Sequence, residues 1–230
     1  MLSKRGVCSR SEAERLVREG RVRLEGRVVR DPEHPADLQG SNIEVDGVAV
    51  TAAIRRYLML NKPRGLVTTL RDERGRDTVY RCFDAIDAAH LAPVGRLDKA
   101  SEGLLLFTND PQWAARITDP ATGPDKTYHV QVDCIPDEAA LAAMRAGVAC
   151  DGMLLAAKSA SLLRMGHKHA WLEIVLDEGR NRQIRRLLAA LEIGVLRLVR
   201  VAIGTLQLGE LPKAQWRELT EAEVAGLAGD

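Results

Sequence analysis

The order of the predicted strands and helices constrains the fold of this chain more than any other feature of its sequence. Short apolar runs bounded by Gly, Pro and charged residues predict strands near 57–60, 66–69, 103–108, 126–134, 154–162, 170–176 and 196–203. Amphipathic segments predict helices near 111–118, 137–146, 181–192 and 220–227. Strands predominate and helices do not alternate strictly with them, which favours a mixed, largely antiparallel sheet over a doubly wound one. The predicted fold class is therefore α+β.

Capping residues support three of the predicted helices. Gly147 follows the helix at 137–146, and Asn181 precedes the helix that begins there. Thr220 and Glu223 have the spacing of a capping box, in which each side chain accepts a backbone N–H of the other residue.

The N-terminal part of the chain is predicted to form a small unit of its own. Ser9 and Glu12 can form a capping box at the start of a helix that ends at Gly20. Short alternating runs then predict strands, and Asp46-Gly47 is a strong hairpin turn. The predicted divisions are a small α/β domain at 1–50, a linker at 51–56 and a larger domain at 57–230.

Basic residues are concentrated at the N-terminus. Residues 1–30 contain nine Lys and Arg and four acidic residues, a charge of +5, so the remaining residues carry −4 of the net +1. A basic end on a mildly acidic body indicates a module that faces nucleic acid, and a solvated charged helix face is the alternative interpretation. The candidate RNA contacts in this segment are Arg10, Arg15, Arg18, Arg21 and Arg23.

Other classes of protein are disfavoured. None of the four cysteines lies at metal-ligand or redox spacing, and His167 and His169 are interpreted as surface residues. The N-terminus has no apolar stretch of signal length, and no run approaches the ~18 apolar residues of a membrane span. The sequence therefore predicts a reduced, cytoplasmic protein without a metal site.

A polar loop, Gly95–Gly103, lies between two apolar segments and contains Arg96, Asp98 and Glu102. Apolar flanks on both sides suit a reactive group that must be held in place, although an ordinary surface turn has the same composition. Asp98 and Glu102 also resemble the carboxylate pair of a glycosidase, but the two glycines disfavour the helix that would put them on one face.

The segment 178–190 predicts an amphipathic helix whose start carries three arginines. The N-terminus of a helix is the positive end of its dipole, so each cation there is unfavourable by about 0.3–1 kcal/mol. An anion opposite Arg182, Arg185 and Arg186 would account for them, and salt bridges to nearby acids are the alternative.

Two further segments are ambiguous from their residues alone. Lys62-Pro63-Arg64-Gly65 is a cationic turn that follows a predicted strand. Strict alternation places Tyr128 with Val130 and Val132 on one face of a strand, where a packed tyrosine is the simple interpretation and a stacking platform for a base is the functional one.

Taken together, these segments resemble the RsuA-type family of ribosomal-RNA pseudouridine synthases. The stretch 95–110 is similar to the family's central motif, 62–68 to its first, 126–128 to its tyrosine motif and 178–186 to its C-terminal one. Residues 2–50 resemble the alpha-L RNA-binding domain shared with a small-subunit ribosomal protein. The family has most of a first helix before Ser9, so either that helix is abbreviated here or the start of the sequence was assigned too late.

The resemblance implies that the protein converts a uridine within ribosomal RNA, or within a partly assembled subunit, to its C-glycoside isomer without a cofactor or metal. It implies that Asp98 is the essential carboxylate, as nucleophile or as base on the ribose, that Arg185 is its basic partner, and that Tyr128 stacks on the base. Chemistry on a base requires extruding it from the RNA, and Arg96 is the candidate to fill the gap. The candidate contacts to the RNA backbone are Lys62, Arg64, Arg182 and Arg186.

Three functions from different classes follow. The first is a monomeric pseudouridine synthase, and the wording of the last motif favours large-subunit RNA. The second is a catalytically silent RNA-binding factor for ribosome assembly. The third is a glycoside hydrolase using Asp98 and Glu102, against which the basic N-terminal segment argues.

Overall fold

The structure is a computed structural model that describes residues 2–3, 5–8, 10–37, 41–50, 53–70, 72–83, 88 and 90–229. Its helices are α1 (Arg10–Arg18), α2 (Pro111–Thr118), α3 (Glu138–Ala146), α4 (Gln183–Ala190) and α5 (Glu221–Ala228), with a 3-10 helix at Val79–Phe83. None of the helices described is long and apolar enough to cross a membrane.

The strands form a small N-terminal sheet, a two-stranded ribbon and a large sheet. The small sheet contains β1 (Val22–Leu24), β2 (Arg27–Val29), β3 (Ile43–Val45) and β4 (Val48–Ala49). The ribbon contains β9 (Val148–Cys150) and β10 (Met153–Leu155). The large sheet contains β5 (Tyr57–Lys62), β6 (Ala92–Val94), β7 (Glu102–Thr108), β8 (Lys126–Val132), β11 (Ser159–Met165), β12 (Ala170–Leu176), β13 (Val195–Ile203), β14 (Leu206–Gln207) and β15 (Trp216–Glu218).

The small sheet agrees with the strands predicted near the N-terminus. Its hairpin turns at Glu25-Gly26 and Asp46-Gly47 have positive φ at both residues, as such turns require. Helix α1 buries Leu16 against the sheet and ends just before Gly20, where the chain turns with φ 73°. The predicted cap at Ser9 lies outside the described residues.

The large sheet is mixed and largely antiparallel, as predicted. Its strands run in the order β11-β12-β8-β13-β7-β5-β15, and only the pair β13 and β7 is parallel among the pairs described. Alternate residues of its central strands pack in different cores, so that Leu105 belongs to one and Leu104 to the other. Helices α3 and α4 cover the first face, and α2 and α5 cover the second.

Three expectations about the elements are wrong. The segment 66–69 is not a strand: only Val67 makes a bridge, to Thr78, and the hydroxyl of Thr68 bonds to the backbone of Leu97. The strand predicted at 154–162 is two strands, β10 and β11, which belong to different sheets. Asn181 does not cap α4, because the cap position is Arg182 in the left-handed conformation.

The other predicted caps are present. Gly147 ends α3 with φ 98°, and Thr220 and Glu223 form both bonds of the capping box of α5.

Asp110 ties the chain at the start of β5 to the start of α2, and its removal should destabilise the fold. Its buried carboxylate accepts the N–H groups of Gln112 and Trp113 and the hydroxyl of Tyr57, and it lies 3.0 Å from Arg55. We expect Asp110→Ala to lower the free energy of unfolding in urea by about 2–3 kcal/mol. Asp110→Asn keeps the capping oxygen and should lose less. An alanine variant as stable as wild type would contradict this role.

Candidate active site

The polar loop at 95–103 connects two neighbouring antiparallel strands, β6 and β7, and is held by hydrogen bonds from Thr68 and by a bond within the loop. Leu97 is buried, and Thr68 accepts its N–H at 3.3 Å and donates to its carbonyl at 2.8 Å. The N–H of Ser101 donates to the carbonyl of Asp98 at 3.0 Å, which closes the turn. Asp98 is therefore fixed in place by its neighbours, as the apolar flanks of the loop suggested.

Lys62 is a buried anchor of this loop. Its side chain is 0% exposed, and its ammonium donates to the carbonyls of Pro63, Asp98 and Ser101 at 3.1, 3.2 and 2.8 Å. Burial lowers its pKa to about 8, and the charge of Asp98 works in the opposite direction. The expectation that Lys62 contacts the RNA backbone is therefore wrong, because its three donors are already engaged inside the protein.

The carboxylate of Asp98 pairs with an arginine at the start of α4. Arg182 donates from Nη1 to Oδ2 of Asp98 at 3.3 Å, while the Asp98 side chain remains 32% exposed. Arg182 adopts φ 50° and ψ 33° and carries no side-chain cap bond. The anion expected opposite this helix start is thus Asp98 itself.

Arg185, expected to be the partner of Asp98, bonds instead to the loop backbone. Its Nη2 donates to the carbonyl of Ala100 at 3.2 Å, and its buried Nε has no acceptor among the described residues. Burial lowers the pKa of Arg185, the charges of Arg182 and Arg64 lower it further, and the charge of Asp98 raises it. Arg185 therefore lies within electrostatic range of Asp98, but Arg182 makes the ion pair.

Arg186 faces away from this pair. It donates to the carboxylate of Asp151 at 2.9 Å and to the carbonyl of Cys150 at 3.3 Å, which holds the ribbon of β9 and β10 against α4. The sequence-based expectation that Arg186 contacts RNA therefore finds no support in its bonds.

An open cleft of about 510 Å³ contains Asp98, Tyr128 and Arg185 in its wall. Tyr128 is 9% exposed, and it packs in the same core as Val130 and Val132, as its strand alternation predicted. Its ring is therefore packed, as the simple interpretation of the sequence predicts, and it also forms part of the cleft wall. The rim carries Arg96, which is exposed, and the half-exposed Arg180 and Arg182. A cleft with a fixed carboxylate, a tyrosine and several arginines suits chemistry on a nucleotide.

The sequence of this cleft and of its scaffold matches a known family. A family model described as RNA pseudouridylate synthase matches residues 56–190. The chain belongs to this family. A second model, described as the S4 domain, matches residues 1–43 of the same synthase.

Individual relatives agree over nearly the whole chain. A protein of Aquifex aeolicus named "Uncharacterized RNA pseudouridine synthase" is 38% identical, over 98% of this chain and 91% of its own length. The "Ribosomal large subunit pseudouridine synthase B" of Bacillus subtilis is 37% identical, over 96% of this chain and 91% of its own. A "Crystal structure of pseudouridylate synthase" superimposes with a TM-score of 0.70 at 32% identity, over 98% of this chain and 96% of that one. The synthase is therefore an isomerase of the family that its motifs resemble.

Glu102 of the synthase is not free to act with Asp98 as a glycosidase pair. Its side chain is 4% exposed, Arg197 holds it at 2.8 and 2.9 Å, and Lys213 holds it at 2.7 Å. Burial raises its pKa, but the hydrogen bonds from Arg197 and Lys213 outweigh burial and leave the pKa lowered. A carboxyl group that stays ionised in this way is unsuited to be a general acid.

Glu102→Gln should therefore affect stability more than catalysis. Arg197 and Lys213 are 37% and 59% exposed, so the lost charge should cost only about 1–2 kcal/mol of unfolding free energy. We expect the kcat on uridine-containing RNA to stay within about threefold of wild type, since Glu102 makes no contact with Asp98 in the bonds described. A large loss of kcat with an unchanged free energy of unfolding would support the hypothesis that Asp98 and Glu102 act as a catalytic carboxylate pair.

The predicted arginines of the S4 part are exposed, but three of them pair with carboxylates, Arg18 with Glu14 at 4.0 Å. Arg15 bonds to Glu12 and Glu19, and Arg21 bonds to Asp46. The other predicted contacts in this part, Arg10, Arg18 and Arg23, are also exposed, and so is Arg64 near the cleft.

The cleft wall contains two further cations, Lys126 and Arg200, that were not predicted from the sequence. Arg200 lies on β13 at a buried position, between the buried Leu198 and Ala202. An arginine at an inward position of an alternating strand is an anomaly that the sequence alone could have revealed. His167 and His169, in contrast, are exposed, and no His, Cys, Asp and Glu cluster among the described residues could hold a metal.

Proposed function

We propose that the protein converts a uridine of ribosomal RNA to pseudouridine and that Asp98 is the carboxylate essential for this reaction. The observation that carries the proposal is the fixed position of Asp98, which the loop anchors hold in a nucleotide-sized cleft beside Tyr128 and Arg182. The name of the Bacillus subtilis relative favours the large-subunit RNA as substrate. Because that RNA is made and assembled in the cytoplasm of bacteria, we place the protein there.

Each functional residue of the cleft has a proposed role in the reaction. The target uridine must leave the RNA stack, at a cost of a few kcal/mol, before it reaches Asp98. Tyr128 would stack on the extruded base, and Asp98 would act on the ribose as nucleophile or as base. Arg182 would hold the carboxylate until the substrate enters, while Arg185 supports the loop from below. Arg96 at the exposed rim would fill the gap left in the RNA.

The rest of the chain would supply affinity. We propose that residues 1–50 form an RNA-binding domain joined by residues 51–56 to a catalytic domain at 57–230. Arg10, Arg18, Arg23 and Arg64 are exposed and would contact phosphates, so binding should weaken steeply with salt. We also propose that the protein acts on the RNA as a monomer.

The test uses a bacterial strain that lacks this gene. Pseudouridines of its ribosomal RNAs are mapped with carbodiimide and primer extension, before and after complementation with wild type or with Asp98→Asn. We expect one or a few large-subunit positions to regain pseudouridine only with wild type. Full restoration by the variant would remove Asp98 from the mechanism, and no change at any position would favour the silent assembly factor.

A further inference from the structure

Arg200 is a buried arginine whose hydrogen-bonding capacity is largely unused. The residue is 5% exposed, its Nε donates to the carbonyl of Leu104 at 2.7 Å, and its Nη2 has no acceptor among the described residues. A guanidinium carries five N–H donors, and leaving them unpaired in a buried position is unfavourable. Because Arg200 forms part of the cleft wall, a ligand in the cleft is the natural source of the missing acceptor.

The backbone around Arg200 is packed closely enough to fix its position. Strands β13 and β7 run parallel here, with Arg200 opposite Gly103. A Cβ atom on Gly103 would lie 2.2 Å from the carbonyl oxygen of Arg200 and 2.8 Å from its nitrogen, so only glycine fits. Gly103, which ends the Asp98 loop, thus packs directly against the backbone of the strand that carries Arg200.

Arg200 is also the neighbour of the tyrosine proposed to stack on the base. Strands β13 and β8 are antiparallel, and Arg200 is paired with Tyr128 in their register. Lys126, two residues before Tyr128, lines the same cleft, and burial followed by the charge of Arg200 lowers its pKa. The inner wall therefore carries positive charge beside the ring of Tyr128, while Arg96, Arg180 and Arg182 at the rim are far more exposed.

We propose that Arg200 donates a hydrogen bond to a carbonyl oxygen of the target uracil and stabilises the negative charge of the detached base. This inference rests on the proposed function and adds a base-binding residue to it. The exposed arginines of the rim suit the phosphates, which stay near solvent. The buried guanidinium suits the base, which enters deepest and presents carbonyl oxygens at its edge.

The chemistry of the reaction requires such a group. When the bond between C1′ and N1 breaks, its electron pair leaves with the base, which becomes an anion with charge shared among N1, O2 and O4. This holds whether Asp98 bonds to C1′ or removes a proton from C2′. The base then turns and C5 bonds to C1′. In this step Asp98 either leaves C1′ or returns to C2′ the proton that it removed. C5 then loses its proton and N1 gains one, so the atoms balance on both routes.

A carbonyl-binding donor also suits the turning of the base. Rotation about the axis through N3 and C6 exchanges N1 with C5 and O2 with O4. A guanidinium fixed at the edge of the base therefore meets a carbonyl oxygen both before and after the rotation. Donors placed where charge develops are a large source of transition-state stabilisation, typically 10²–10³-fold for one group.

The test combines variants of Arg200 with thiocarbonyl substrates. Single-turnover rates are measured for wild type and Arg200→Met on one RNA that carries uridine, 2-thiouridine or 4-thiouridine at the target position. We expect the variant to be slowed by about 10²-fold on uridine. Sulfur accepts hydrogen bonds weakly, so at least one thio substitution should slow wild type much more than it slows the variant. Arg200→Lys should recover part of the rate.

The controls separate this role from a structural one. Arg164→Met, which changes an arginine on the far strand β11, should keep the wild-type response to both thio substitutions. A merely structural Arg200 would give equal thio effects in wild type and Arg200→Met, and that result overturns the inference, provided that the melting temperatures of the proteins exceed the assay temperature. If wild type turns over and the thio substitutions slow wild type and Arg200→Met equally, only the role of Arg200 is rejected. If wild type turns over none of the RNAs, the proposed function is rejected and this inference with it.

Discussion

Asp98→Asn should abolish turnover and leave RNA binding intact. The substitution keeps the shape of the side chain, so the loop anchors at Lys62 and Thr68 should hold it as before. An amide can neither attack the ribose nor take its proton, so we expect kcat to fall by at least about 10³-fold. The Kd for RNA should stay equal or decrease, because a negative charge is removed from a cleft that receives phosphates.

Asp119→Asn is the matched control for this prediction. Asp119 lines the same cleft, but its carboxylate accepts the N–H groups of Ala121 and Thr122 at 2.8 and 3.0 Å. We expect this variant to form pseudouridine at the wild-type rate under single-turnover conditions. Filter binding gives the Kd of both variants. An equal loss of kcat in both variants would show that the cleft responds to its total charge and would remove the special role of Asp98.

Lys62→Met should damage both the fold and the reaction. Methionine has a similar length but no donors, so three buried or partly buried carbonyls, including that of Asp98, lose their partner. We expect the free energy of unfolding in urea to fall by about 2–4 kcal/mol. The loosened loop should lower kcat by about 10²-fold even where the protein is fully folded, because catalysis depends on the position of Asp98 to within about 1 Å.

The salt dependence of RNA binding distinguishes this anchoring role from the RNA contact that the sequence suggested. An anchor predicts an unchanged slope of binding against salt concentration, whereas loss of one phosphate contact would reduce that slope by about 1. Lys168→Met removes an exposed lysine from the turn after β11 and should change neither stability nor kcat. A Lys62→Met protein that is folded, fully active and weakly bound to RNA would contradict the anchoring role.

The elements that the sequence predicts well are those whose signal is local. Strand β12 lies at 170–176 and helix α2 at 111–118, as predicted. Both predictions depend only on neighbouring residues, because the alternation of apolar and polar side chains and the capping of a helix are local patterns. The Asp98 loop was found for the same reason, since apolar strands flank a polar stretch on both sides. The capping box at Thr220 and the hairpin turn at Asp46 likewise depend only on residues within a few positions of each other.

The errors concern side chains whose surroundings come from distant parts of the chain. Lys62 resembles a surface cation beside a turn, and its burial follows from carbonyls 36 and 39 residues away. The choice between Arg182 and Arg185 as partner of Asp98 depends on where α4 begins. Asn181 was expected to start it, but the left-handed turn at Arg182 delays the helix and directs Arg182 towards the loop.

Release of tritium from carbon 5 of uracil reports the proposed reaction itself. Purified protein is incubated with unmodified ribosomal RNA transcripts, free or in partly assembled subunits, that carry tritium at this carbon, because a new bond between C5 and C1′ displaces that hydrogen into water. We predict release by wild type, at a level equal to a small whole number of sites, and none by Asp98→Asn. Equal release by both proteins would contradict the assignment of Asp98, and no release by wild type on any of these substrates would contradict the proposed activity itself.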